Sequence, residues 1–378
     1  MCSKPPAAVL SRQPSPTILP DEVLGEIFVK LPVKILLQLK CVCKSWKTLI
    51  SDPQFARYQY QSHRSIMANE RLAFFVDGNP SRVVTCSVQS LIETPSIPAE
   101  TVEFTMRLER GYEIIGSCNG LLCLFDNSCC FRLWNPCTRA KSEKSPEAQG
   151  LRGEMMRQCG FGYDKVNDKY KVMTLVNVEV RVKKKGLQVK TVAKVYTFGE
   201  NSWTMIPGDL QCVPDSWNKF GQFASGNLHW LTTTVIDQGK VVLSMDVENE
   251  TCGQLLLPPH LSARDDVSLH GSGDGLYVCQ FFQTHWDLWL MKEYGVQESW
   301  TKFMTMPREE SPFTSCALLF FPFCILENGI VLVRTTCSHS HLVIRYDSND
   351  GSFSHCMILR DQHGKNARVY HESLVPPP

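Results

Sequence analysis

Residues 195–207 read VYTFGENSWTMIP: an apolar and aromatic run, a polar turn at 199–201, then a tryptophan opening a second run that ends on proline. Short runs of this composition, bounded by Gly, Asn and Pro, predict two antiparallel strands joined by a turn. The pattern returns from Trp289-Leu290-Met291 to Ser299-Trp300-Thr301, closing on Pro307. Looser copies run from Ser244-Met245-Asp246-Val247 to Cys252-Gly253 and from Ile344-Arg345-Tyr346 to Ser352-Phe353. Positions 203, 253, 300 and 353 are each separated by roughly fifty residues, so one supersecondary unit repeats along the chain.

A second pattern interleaves with the first. Asn119-Gly120-Leu121-Leu122, Gly226-Asn227-Leu228-His229-Trp230, Asp274-Gly275-Leu276-Tyr277-Val278 and Asn328-Gly329-Ile330-Val331 each place a residue pair that accepts positive φ before an apolar strand. The fifty-residue period and the hairpin chemistry together predict a kelch-like, all-β propeller of about six blades, with units at 66–98, 112–145, 159–207, 222–258, 268–307 and 323–358. Arg368 to Leu374 remains as a final strand able to pair back with the first blade, which would remove two exposed sheet edges. The most apolar stretch, Ala317 to Leu326, is half a membrane span and holds Pro322, so it reads as a buried strand with a bend.

Upstream the period changes from two to 3.6. Residues 19–50 read LPDEVLGEIFVKLPVKILLQLKCVCKSWKTLI. Pro20 suits a helix start, Asp21 and Glu22 put negative charge at the positive end of the dipole, and Val23, Leu24, Ile27, Phe28 and Leu31 recur at helical spacing. Pro32 stops that helix or displaces its axis, a second spans about Val33 to Leu39, and Val42, Trp46, Leu49 and Ile50 mark a third. Asp52-Pro53 opens a further helical turn. Three or four helices this short cannot hide so many apolar side chains among themselves. The surplus either forms an exposed interface or docks onto the rest of the chain, and both carry the same pattern.

Bulk numbers narrow the function. The 378 residues carry 39 Lys and Arg against 38 Asp and Glu, a formal net charge of +1, which argues against nucleic acid as the main partner. No signal-peptide core precedes Thr17, and no run is long enough to anchor the chain in a membrane. Seventeen scattered cysteines without a secretory signal read as reduced and mostly buried. Cys41 with Cys43 and Cys129 with Cys130 lack partners at zinc-site spacing.

The stretch 17–62 resembles the F-box. Leu19-Pro20, Asp21-Glu22-Val23-Leu24, Glu26-Ile27, Lys30-Leu31-Pro32-Val33-Lys34, Leu36-Leu37 and Lys40-Cys41-Val42-Cys43-Lys44-Ser45-Trp46 all fall in its register. Ile35, Gln38 and Leu39 depart from it. The remainder resembles the F-box-associated, kelch-like domain of plant F-box proteins, through Gly116-Ser117-Cys118-Asn119-Gly120-Leu121-Leu122-Cys123, Leu133-Trp134-Asn135-Pro136-Cys137-Thr138-Arg139, and Phe161-Gly162-Tyr163-Asp164 with Asn167-Asp168-Lys169-Tyr170-Lys171-Val172.

The resemblance implies a substrate receptor of an SCF ubiquitin ligase: a tail (1–16), an F-box (17–62) and a propeller (63–378), without a catalytic centre or cofactor of its own. It implies contact with a Skp1-like adaptor through Leu19, Pro20, Val23, Leu24, Ile27, Leu31, Pro32, Leu36, Val42, Lys44 and Trp46, with Trp46 and the leucines as anchors and the lysines on the rim. A cullin-1 and a RING subunit would follow through the adaptor, a protein substrate would sit on the propeller loops, and the compartment would be cytoplasm or nucleus.

Competing chemistry finds little support. No Walker loop, Rossmann fingerprint, H-E-x-x-H or G-x-S-x-G occurs. Gly271-Ser272-Gly273-Asp274-Gly275 falls where the propeller needs a hairpin, and His339 and His341, near Cys337, lack a third and fourth ligand. An oxidase on this fold would place metal ligands on inner strand faces. Arg181-Val182-Lys183-Lys184-Lys185-Gly186 fits either a patch for nuclear import or an acidic partner, or a solvated hairpin tip.

Overall fold

The computed structural model describes residues 20–76, 82–93, 101–105, 112–126, 128–148, 155–182, 186–214, 219–236, 238–262, 265–308, 320–326, 328–337, 340–360 and 364–378. The tail 1–16 and Leu19 lie outside them. Pro20 and Pro32 are the cap residues of α1 (Asp21–Val29) and α2 (Val33–Leu39). Each holds an extended ψ that turns the chain into the helix behind it. α3 (Lys44–Ser51) and α4 (Pro53–His63) follow. Asp52 caps α4, its Oδ1 accepting from the backbone N–H of Gln54 (2.8 Å) and Phe55 (2.9 Å) ahead of Pro53 at the first helical position. Phe28 meets Trp46 edge-on at 5.0 Å, which fixes α1 against α3.

Six sheets follow. The first blade has β1 (Glu70–Val76), β2 (Arg82–Ser87), a short helix α5 (Val88–Glu93) and β3 (Thr101–Thr105). The second has β4 (Glu113–Cys118), β5 (Leu121–Phe125) and β6 (Phe131–Trp134). The third has β7 (Met155–Asp164), β8 (Lys169–Val182), β9 (Gly186–Thr197) and β10 (Thr204–Leu210). The fourth has β11 (Cys212–Pro214), β12 (Gln222–Ala224), β13 (Asn227–Thr234), β14 (Lys240–Asp246) and β15 (Cys252–Leu255). The fifth has β16 (Val267–Ser272), β17 (Gly275–Phe281), β18 (His285–Met291) and β19 (Trp300–Pro307). The sixth has β20 (Phe320–Ile325), β21 (Ile330–Cys337), β22 (Ser340–Asp347) and β23 (Ser352–Arg360).

The last strand, β24 (Gly364–His371), pairs with β1 and becomes the innermost strand of the first blade, in the order β24-β1-β2-β3. The unit at 66–98 therefore supplies only outer strands, and the chain's C-terminal strand completes it. The inner strands β24, β4, β7, β12, β16 and β20 lie against one another in a closed ring.

Several repeated features acquire physical reasons. Trp203 Nε1 donates to the Pro146 carbonyl and Trp300 Nε1 to the Leu256 carbonyl, each at 3.0 Å, so both tryptophans tie their blade to the exit segment of the preceding one. Turn chemistry sets the hairpins after the inner strands. Asn119 (φ 52°) and Gly120 (φ 78°) form a primed two-residue turn, as do Ser225 (φ 50°) and Gly226 (φ 78°). The turns expected at Gly226-Asn227 and Asp274-Gly275 thus sit one residue earlier: Asn227 and Gly275 already pair in strands, opposite Ala224 and Ser272. The glycine-rich run at 271–275 is that β16–β17 hairpin.

Pro322 lies in β20 beside a register shift between Pro322 and Cys324, the bend expected in that strand; residues 317–319 lie outside the described residues. In the second blade Ser142 and Ser145 replace an outer strand, their hydroxyls accepting from the Leu133 and Phe131 N–H groups at 2.9 Å. Among the thirteen cysteines whose side chains are described, all free, seven are buried and only Cys41, Cys43 and Cys252 are exposed.

A buried amide locks the segment that follows the closing strand. Asn135, fully buried, donates through Nδ2 to the carbonyls of Ser373 (3.0 Å) and Val375 (2.8 Å) and accepts at Oδ1 from the N–H of Cys137 (2.8 Å) and Thr138 (3.1 Å). Asn135→Ala should cost about 2–3 kcal/mol in chemical denaturation, since it strands buried donors and acceptors. Asn349→Ala, in an exposed turn, should cost less than about 1 kcal/mol.

Burial also pushes the His229 imidazole down to about 4 and that of His270 to about 3. Both stay neutral where an unfolded histidine, titrating near 6.5, takes up a proton. Stability should be complete above pH 6.5 and fall on acidification toward 4, by on the order of 2 kcal/mol per histidine at pH 5. Urea midpoints across that range, in wild type and His229→Gln, test this; a flat wild-type profile would contradict it.

Candidate protein-docking surfaces

The helices have two sides, and the structure uses both. On the inner side Phe28, Val29, Val33, Leu36, Ile50, Phe55 and Ala56 join propeller residues such as Ile115, Leu121, Phe161 and Tyr170 in one continuous apolar cluster. On the outer side Val23 (39% exposed), Ile27 (45%) and Val42 (61%) remain open, with Ile35 beside them in sequence. The apolar surplus is therefore divided between the two destinations the sequence allowed. Val23 and Ile27 are four apart and share one face of α1, while Phe28 and Val29 turn inward. Four of the fifteen large exposed apolar side chains among the described residues fall within the twenty positions from Val23 to Val42, a density that marks this stretch as unfinished.

The residues assigned by resemblance to adaptor contact separate accordingly. Pro20, Val23, Ile27, Pro32, Val42 and Lys44 are exposed, and Leu24, Leu31 and Trp46 are half-buried. Leu36 is fully buried in the shared core, so it holds α2 down and offers no contact surface. Trp46 packs on Phe28 and is not a free anchor. Ile35 and Tyr58 are exposed apolar side chains that the family register did not single out.

Helix α4 seats the helical unit on the ring. Arg57 Nη1 forms an ion pair with Asp168 Oδ2. Tyr60 meets the His371 ring edge-on at 6.3 Å and lies beside Cys118 and the Asn119 backbone, where burial raises its hydroxyl to about 12. Gln59 Nε2 donates to the Leu31 carbonyl at 3.3 Å, tying α4 to the end of α1. Of these partners, Cys118 and Asn119 belong to the first sequence motif that carried the propeller resemblance and Asp168 to the second, while His371 lies on the closing strand.

The second motif is itself a buried charge network. Lys171 Nζ reaches Asp164 Oδ2 (2.9 Å), Glu250 Oε1 (2.8 Å) and the Val247 carbonyl (2.9 Å), coupling the third blade to the fourth. Burial opposes the charged form of Asp164, but hydrogen bonds from Asn167 and Lys171 outweigh it and hold the carboxyl below its ordinary range. Gly162 admits this approach, since a Cβ there would stand 2.9 Å from Val247.

Because successive strands run antiparallel, the turns alternate between the two ends of each blade. Asn119-Gly120 and the turn after Asp164 face the helices, which leaves the turns after β5, β13 and β17 at the opposite end. Val235, Ile236 and Phe282 are exposed there. The same end receives the β8–β9 hairpin, whose tip at 183–185 lies outside the described residues, as does His339; of Arg181, Cys337 and His341 only the backbone is described. Among the described residues no group of three or more His, Cys, Asp or Glu side chains is placed to hold a metal ion, and no helix is long and apolar enough to cross a membrane.

The inner and outer residues should respond differently to truncation. Ile27→Ser and Val42→Ser should change unfolding free energy by no more than about 0.5 kcal/mol. Leu36→Ala should cost about 2–5 kcal/mol. Equal losses at all three would contradict an open outer face.

Comparison with known proteins places these surfaces in context. A family described as "F-box associated beta propeller domain" matches residues 79–377, and an "F-box-like" family matches 17–62. The chain is 27% identical to the F-box/kelch-repeat protein At3g23880 of Arabidopsis thaliana, over 96% of this chain and 97% of that protein. It is 26% identical to the F-box protein CPR1 of the same plant, over 78% and 74%. Among solved structures, Kuenenia stuttgartiensis hydrazine synthase aligns with a TM-score of 0.47 at 7% identity, over 82% of this chain and 48% of that one, a likeness too weak to carry argument.

Proposed function

The chain belongs to the family of proteins with an F-box associated beta propeller domain, and from that membership we propose that it is the substrate-recognition subunit of an SCF-type ubiquitin ligase. The observation that carries the reading is the open outer face of the helices. Val23, Ile27 and Val42 are exposed although the same helices bury Phe28, Leu36 and Ile50 against the propeller. An apolar face left open on a unit already docked on its inner side supports a separate protein partner, for which the F-box family points to a Skp1-like adaptor. Through the adaptor the chain would reach cullin-1 and a RING subunit.

The opposite end of the ring then serves the substrate. Its turns lie farthest from the helices and carry Val235, Ile236 and Phe282 in the open. The receptor contributes proximity: with one end on the ligase and the other on the substrate, ubiquitin transfer becomes effectively intramolecular, and the bond-making chemistry belongs to the bound ubiquitin-conjugating enzyme. On this reading the protein has no catalytic centre or cofactor of its own and works in the cytoplasm or nucleus, where such ligases meet soluble substrates.

Capture of a purified Skp1-like adaptor by the full chain tests the proposal. Ile27→Asp and Val42→Asp should each weaken capture at least tenfold while leaving the thermal midpoint within a few degrees of wild type. Those positions are better suited than Trp46, whose loss would loosen its packing on Phe28. A wild-type chain that retains no adaptor would sink the reading.

A further inference from the structure

The centre of the ring holds two guanidinium groups that the receptor function does not use. Arg368 lies on the innermost strand of the first blade, where its Nε donates to the Ile115 carbonyl of β4 (3.3 Å) and its Nη1 to the Ala367 carbonyl (3.4 Å). Its guanidinium carbon stands 5.8 Å from the centre of the Phe220 ring. Arg334, on β21, is paired across strands with Phe321 of β20 and stacks over that ring at 5.0 Å. Among the described residues Arg334 makes no side-chain hydrogen bond, and neither arginine meets a carboxylate. The nearby acid Glu113 is already paired with Lys219 at 2.8 Å.

Both arginines are deep, yet each keeps part of its surface open. The donors they leave unused are not among the sealed, unpartnered polar atoms of the described residues. Burial lowers both groups to about 10, Arg334 adds to the effect on Arg368, and both depress His270 on the inner strand of the fifth blade. That histidine is neutral and adds no charge; its Nε2 is 2.6 Å from Ser268 Oγ. The centre thus gathers two fixed positive charges, aromatic walls and unused planar donors, and among the described residues no carboxylate pairs with either arginine. Like charges held together away from bulk water repel, and the arrangement is relieved by an anion able to accept several hydrogen bonds.

We propose that the axial channel of the propeller binds a small free oxyanion, a phosphate, sulfate or polycarboxylate, between Arg334 and Arg368. The guanidinium fork matches the spacing of two oxygens on such a group, and stacking on Phe321 leaves the Arg334 fork unspent. Both arginines lie within the ring and away from the outer helical face, so the assignment does not depend on the adaptor reading.

Titration calorimetry of the full chain with sodium phosphate, sulfate and citrate, against sodium chloride at constant ionic strength, tests the proposal. At least one oxyanion should bind saturably where chloride does not. Arg334→Gln and Arg368→Gln should each weaken that binding at least tenfold, whereas Lys302→Gln, which removes an outer charge paired with Asp287, should leave it unchanged. Should either glutamine variant fail to fold, Arg334→Lys keeps the charge, loses the fork and should bind several-fold more weakly. Absence of saturable binding by wild type, or equal affinity in the arginine variants, would overturn the assignment.

Discussion

A propeller is a ring made from a string, so its stability depends on the join between the string's two ends. Here the join is β24 against β1, locked from behind by the buried amide of Asn135, which uses two donor and two acceptor interactions. Ser373 extends the lock, its hydroxyl donating to the Asn119 carbonyl (3.0 Å) and accepting from the Val375 N–H (2.9 Å). Gly120 is required by the same contact. A Cβ there would lie 2.3 Å from that of Ser373, and the residue holds a φ of 78°. The asparagine–glycine turn and the tryptophan–asparagine–proline segment are thus two halves of one clasp around the C-terminal strand.

The clasp also explains where the helices sit. His371 and Asn119, at the ends of the closing strand and the first primed turn, form the floor under Tyr60, and Asp168 of the next blade holds Arg57. A loosened closure would therefore disturb the seat of the helical unit as well as the ring. The coupling runs through adjacent packed groups, with Tyr170 accepting from Asn119 Nδ2 at 3.1 Å and stacking on Phe161. Motifs that could pass for a binding signature are instead structural: they keep the two parts of the chain in one arrangement.

The repeat was legible because turns and indoles obey local rules. Positive φ selects Asn and Gly, and Trp203 and Trp300 carry one hydrogen bond to one kind of neighbour. What local rules could not place was set by distant contacts. The closing strand was legible as a final strand at 368–374 able to pair back with the first blade, but its innermost position and its register come from a partner almost three hundred positions away. The one-residue displacement of two turns has the same origin, since strand pairing rather than the dipeptide fixes which residues take the corner. In the helices, periodicity identified the apolar positions but not their destinations. Leu36 and Ile27 look alike in sequence, and only the propeller beneath α2 determines that one is core and the other open. Arg334 and Arg368 were illegible for a related reason: they lie 34 positions apart, and only the ring closure makes their blades neighbours.

A receptor that works by proximity needs its two ends held at a fixed separation, because a flexible joint dilutes the effective concentration of the substrate at the transfer site. This chain has few degrees of freedom to lose. The short segment between His63 and Glu70 ends in a 3-10 turn (Met67–Asn69) leading directly into β1, and the Glu372 N–H donates to the Asn69 carbonyl at 2.9 Å, so the link itself is stitched to the closing strand. Arg57, an exposed ion pair, contributes little energy alone. Joined to the buried Phe55 and Ala56 and to Tyr60 against His371, it selects one orientation among those that apolar contact alone would allow. The direction in which the opposite face points is thus fixed by the same strand that closes the ring.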